Sequence, residues 1–128
     1  MSEPARVPDA LIEQCATGLL RRTRQRLEEQ SRRAVALRER ALAAARQIAR
    51  RYGARRIWLF GSLAWGEAHS GSDVDLLVEG LASAEWSAAT ACAEEICGVP
   101  VDLVRVEEAP ASLAERVRTE GILLHEPE

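Results

Sequence analysis

Between Leu19 and Tyr52 the chain runs for 34 residues without a glycine or a proline. Ala, Leu, Arg, Glu and Gln dominate the stretch, all good helix formers. Ile12, Ala16, Leu19, Thr23, Leu27, Ala34, Leu37, Ala41, Ala45, Ile48 and Tyr52 step mostly by three or four, which is one face of a helix. Gly53 then stands where a C-cap belongs. Within 21–33, Leu27 is the only large apolar residue. A straight helix of this length spans roughly 50 Å, against roughly 30 Å for a small domain. It must break in its polar middle or overhang. An overhang leaves Leu11, Ile12, Leu19 and Leu20 in water unless a second copy of the chain covers them, which is the first expectation, or residues 8–20 fold back.

After Gly53 the period changes. Arg56–Phe60 is a short apolar run and reads as a buried strand. Ser62–Glu67 reads as the start of a short helix, and Ala68–Ser72 as loop. Asp73–Glu79 reads as a second strand closed by Gly80. Ser83 caps a helix to about Cys97, ended by Gly98. Pro100–Val106 is a third strand, Ala111–Thr119 a helix, and Ile122–His125 a last strand. The 128 residues suit one domain with an extra element. The order predicts an α/β or α+β domain with one small sheet.

Charge divides the chain. Residues 1–56 hold 14 Arg against 6 acids, whereas residues 57–128 hold 3 Arg against 14 acids. There is no Lys, which excludes Schiff-base chemistry and the P-loop lysine. Only four acids are Asp: Asp9, Asp73, Asp75 and Asp102. No signal-type apolar segment opens the sequence and no run approaches a membrane span, so a cytoplasmic protein is expected. Cys15, Cys92 and Cys97 lack CxxC spacing and read as small, buried or partly buried thiols.

Asp73 and Asp75, two apart on a strand, point the same way, with Leu76 and Val78 toward the core. Adjacent carboxylates repel unless a divalent cation lies between them, and oxygen ligands favour Mg²⁺ or Mn²⁺. Asp102, on the next strand, can join the same face, as in sites holding two metals. Gly61 lets a phosphate approach the backbone, and Ser62 adds a hydroxyl beside the N–H groups of a helix start. Together these segments describe Mg²⁺–triphosphate handling and nucleotidyl transfer.

The motif Gly61-Ser62-x-Ala64-x-Gly66, then Ser72-Asp73-x-Asp75-Leu76, with Asp102 in VDLV, closely resembles the minimal nucleotidyltransferases of the DNA polymerase β superfamily. The closing EGILLHE is also similar to that family's finish. The resemblance covers about residues 38–126 and implies a small mixed β-sheet with helices mainly on one side, as a domain at 38–128, with 1–37 as an Arg-rich helical extension. It further implies that Asp73 and Asp75 bind two Mg²⁺ ions. Asp102 would bind the catalytic metal and help deprotonate the attacking hydroxyl. Gly61, Ser62, Gly66 and Ser72 would contact ATP. Such proteins are commonly paired with a HEPN-domain toxin, and some transfer AMP onto a tyrosine of it, acting as antitoxins. The chain departs from the family at Trp65, where many members carry an Arg. Trp there can pack or stack on a base but cannot pair with phosphate.

Trp58 and Trp86 are expected on core faces, His69 on a surface loop and His125 in a structural role. The Arg clusters at 21–26 and 32–33 are interleaved with Glu28, Glu29 and Glu39, which favours a protein contact, with a partner or a second copy as a dimer, over nucleic acid. Beside AMP transfer to a partner hydroxyl, two readings remain: a non-catalytic antitoxin that masks its toxin by contact, and nucleotidyl transfer to a small molecule.

Overall fold

Helix α1 spans Asp9–Tyr52, 44 residues without a break, in a computed structural model that describes residues 8–66 and 73–128. Its polar middle does not interrupt it. Glu28 and Glu29 precede Arg32 and Arg33 by four residues, the favourable order for charged pairs on a helix. Gly18 is absorbed into the helix, and at roughly 1.5 Å per residue α1 is about 66 Å long. Gly53, at φ 71°, ends it by donating its N–H to the Ala49 carbonyl. Packing against the rest of the chain begins at Ala34 and Leu37 and deepens at Ala41, Ala44, Ala45 and Ile48. Leu11, Ile12, Leu19, Leu20 and Leu27 stay exposed. Of the two expected outcomes, break or overhang, the helix takes the second.

The other elements are β1 (Arg56–Phe60), α2 (Ser62–Trp65), β2 (Val74–Glu79), α3 (Trp86–Cys97), β3 (Val101–Arg105), α4 (Ala111–Glu120) and β4 (Ile122–His125). The strands form one mixed sheet in the order β3-β2-β1-β4. Strand β1 runs antiparallel to both neighbours, and α3 carries the chain over to the parallel strand β3. Alternation assigns the faces. Ile57, Leu59, Val74, Leu76, Val78 and Leu103 form one core with the Ala-rich faces of α1 and α3. Trp58, Phe60 and Leu77 form a second, smaller core on the opposite face with Ala114 and Val117 of α4. This is the mixed α+β architecture expected, with two of the three long helices on one face.

Two details differ from the sequence reading. Ser83–Glu85 is a turn of 3₁₀ helix rather than the start of α3, and Ser83 makes no capping hydrogen bond there. Trp86 opens α3 in phase with the buried Ala89, Ala93 and Cys97, yet at the helix start it is 41% exposed. Its indole N–H donates to the Leu103 carbonyl at 2.6 Å. Val106 belongs to a second 3₁₀ turn, Val106–Glu108, fixed by Arg105, which donates to the Leu81 carbonyl and pairs with Glu108. Single turns carry no hydrophobic period by which sequence could announce them.

Candidate active site

Strand β1 delivers the chain to Gly61 at the end of the sheet. Gly61 adopts φ 76°, a conformation that L side chains rarely adopt, and its carbonyl accepts the N–H groups of Ala64 and Trp65 to wind α2. Gly66, at φ 81°, closes α2 by donating to the Ser62 carbonyl. Space is as restrictive as conformation, because a Cβ at Gly61 would collide with the Asp75 carboxylate. The backbone of the Gly-Ser motif and the first strand carboxylate are thus in direct contact across two strands.

The register explains why. Phe60 lies opposite Asp75 in the antiparallel pair, and Asp75 lies opposite Asp102 in the parallel pair. Asp73 precedes β2 by one residue and shares the parity of Asp75. Asp75 is half-buried, whereas Asp73 and Asp102 are exposed, Asp102 on the edge strand of the sheet. Burial pushes the Asp75 carboxyl above its ordinary value of 3.8, and the charges of Asp102 and then Asp73 add to the shift. Asp75 therefore senses the charge of both neighbours, and among the described residues none of the three takes part in an ion pair.

Among the described residues, no three His, Cys, Asp or Glu side chains are already gathered round one point as a metal cluster. The donor set still suits a hard cation, being carboxylate oxygen throughout. The bare Gly61 backbone lets the Asp75 carboxylate lie directly against it. In donor chemistry, though not as a gathered cluster, these residues fit a divalent ion. Ser62 heads α2 and is half-exposed. Ser72 and His69 lie outside the described residues.

Two arginines that the sequence reading did not single out fasten the motif. Arg38 of α1 donates to the Leu63 carbonyl in α2 at 2.8 Å. Arg116 of α4 stacks 4.2 Å from the Trp65 ring centroid and pairs with Glu120. The Trp65 indole N–H donates to the Glu120 carbonyl at 3.1 Å. Trp65 thus packs against α4, one of the two roles open to it. Among 17 arginines no local signal distinguished these two. A cavity of about 230 Å³ lined by Leu27, Gln30, Ser31, Ala34, Arg38 and Gly66 lies between α1 and the motif.

Residues 44–128 match the family model described as Polymerase beta, Nucleotidyltransferase. The chain belongs to this nucleotidyltransferase family. Its fold is similar to a solved minimal nucleotidyltransferase, at 36% identity and TM-score 0.60, covering 70% of this chain and 93% of that one. It is also similar to a crystal structure of a toxin–antitoxin with AMP-PNP, at 25% identity and TM-score 0.59, over 68% of this chain and 74% of that one. A structure from Shewanella oneidensis shares the fold at 19% identity and TM-score 0.51, over 68% and 71% of the two chains. Among curated proteins, none matches the chain in sequence. The nucleotidyltransferase has, among its described residues, no helix long and apolar enough to cross a membrane.

Proposed function

We propose that this nucleotidyltransferase transfers AMP from ATP to a tyrosine hydroxyl of a HEPN-type toxin, and so acts as a cytoplasmic antitoxin. The observation that carries the reading is the row formed by Asp75 and Asp102 on paired strands, with Gly61 against the Asp75 carboxylate. The similar toxin–antitoxin holding AMP-PNP supports an adenine nucleotide as donor. Residues 38–128 form the transfer domain, and 1–37 a helical extension that meets a second copy of the chain.

In this reading Asp73, Asp75 and Asp102 would hold two Mg²⁺ ions, whose chemistry when bound would be to neutralise triphosphate charge and favour the ionised acceptor. Gly61, Ser62, Gly66 and Ser72 would contact ATP, Gly61 through its bare backbone. Asp102 is exposed on the edge strand, open to an acceptor brought by another protein. It accepts the hydroxyl proton as the acceptor oxygen bonds to the α-phosphorus. The bond from that phosphorus to the β-phosphate bridge breaks, and pyrophosphate leaves in line. Positioning and electrostatics supply most of the rate.

The test is incubation of the full chain with labelled ATP, Mg²⁺ and a HEPN protein encoded beside it. Asp73→Asn should lower AMP incorporation at least ~100-fold, several kcal/mol of transition-state stabilisation, while the fold persists. Incorporation at the unaltered rate would sink the assignment. The Arg-rich overhang favours a second reading, an antitoxin that masks its toxin by contact. In that case Asp73→Asn would still neutralise the toxin in cells.

A further inference from the structure

The face of α1 that is buried at Ala41, Ala44, Ala45 and Ile48 does not end where the domain ends. Stepping back by threes and fours it continues through Ala34, Gln30, Leu27, Thr23, Leu19, Ala16 and Ile12. In this stretch Ile12 is 52%, Leu19 60%, Leu20 69% and Leu27 60% exposed. The part that overhangs, residues 9–30, is about 33 Å of helix whose edge is apolar at Ile12, Ala16, Leu19 and Leu27 and polar at Thr23 and Gln30. A free helix of this length gains little from propensity alone, and packing of its apolar face is the usual source of stability.

We propose that two copies of the chain pair antiparallel through residues 9–30, about a two-fold axis beside Leu19 and Leu20. This rests on reading the overhang as a contact between copies. Folded onto itself about that point, the overhang is self-complementary: Ile12 comes beside Leu27 of the second copy, Ala16 beside Thr23, and the leucine pair crosses at the axis. Charge selects the direction. Arg21, Arg22, Arg24 and Arg26 of one helix lie along residues 13–18 of the other, where Glu13 is the only charge. A parallel pair would set the two arginine blocks side by side. Length agrees as well. The second helix begins at Asp9, beside Gln30, and so stops short of Ala34, where α1 settles onto its own domain. The first turn of each copy then reaches the rim of the cavity bounded by Leu27, Gln30, Ala34 and Gly66 in the other, next to the Gly-Ser motif.

The experiment uses the full chain with Cys15→Ser and Cys92→Ser, leaving only buried Cys97. Light scattering should give twice 14.1 kDa, falling to 14.1 kDa when Leu19→Glu and Leu20→Glu are combined. Under oxidation, Leu20→Cys should link to its own copy, because a disulfide needs Cα atoms within about 7 Å. Ile12→Cys alone and Leu27→Cys alone should not link, whereas their mixture should. A monomeric parent overturns both the dimer and this pairing, and leaves the overhang to a different protein. A dimer in which Ile12→Cys links to itself overturns the antiparallel direction alone, and a dimer that links at none of these positions overturns the helix as its contact. AMP transfer, assayed separately through Asp73→Asn, is decided by neither outcome.

Discussion

Gly61 is the residue at which conformation and chemistry meet. Its φ of 76° and its contact with Asp75 each demand the absence of a side chain. Gly61→Ala should destabilise the chain by roughly 1–3 kcal/mol in urea unfolding, the cost of holding an L residue in a sparsely populated conformation, with steric displacement of Asp75 added. Transfer should be lost with it. Asp75 makes the opposite case. Its carboxyl titrates above the ordinary 3.8 through burial and then the charges of Asp102 and Asp73. For an acid raised on folding, the folded chain binds the proton more tightly than the unfolded one. The charged group therefore weakens the fold above its folded pKa, and the penalty disappears as pH falls through that value toward 3.8. In the absence of metal, Asp75→Asn should raise the melting temperature at pH 7. The gain should shrink at pH 4. An unchanged melting temperature at pH 7 would overturn the penalty assigned to burial and to the neighbouring charges. Stability set against activity at one side chain is a common mark of a working site.

At the scale of elements, the motif helix α2 is too short to hold itself. Arg38 reaches it from α1, and Trp65 ties it to the end of α4. Trp65→Phe keeps the ring but removes its N–H from the Glu120 carbonyl. Guanidine melts should show a loss of about 1 kcal/mol, with slower transfer and the sheet unchanged. Much of this arrangement was legible beforehand. The faces of Asp73, Asp75, Leu76 and Val78 followed from strand alternation, and Gly53 and Gly98 marked helix ends that the structure caps with left-handed glycines. Trp86 shares the face of Ala89, Ala93 and Cys97 but opens the helix, where less of the chain covers it, so it is more exposed than its phase suggests. Arg38 and Arg116 were invisible for a different reason: their partners lie 25 residues away and on a separate helix, and neither contact leaves a periodic trace. The chemical motif was legible because its residues are close in sequence; its supports come from distant elements.

The whole molecule joins an acidic catalytic half to an Arg-rich rod. A compact chain of 128 residues has a radius of gyration near ~14 Å. With α1 about 66 Å long and half of it free of the domain, small-angle scattering should give a clearly larger radius and a skewed pair-distance distribution with a long tail. A value near 14 Å would mean that the rod bends back in solution. The unbroken helix has one more consequence. Arg38, which touches the motif, and Leu20, which is 69% exposed, belong to the same unbroken helix. A partner seated at Leu20 would therefore be separated from Arg38 by roughly 27 Å of continuous helix and not by a flexible tether.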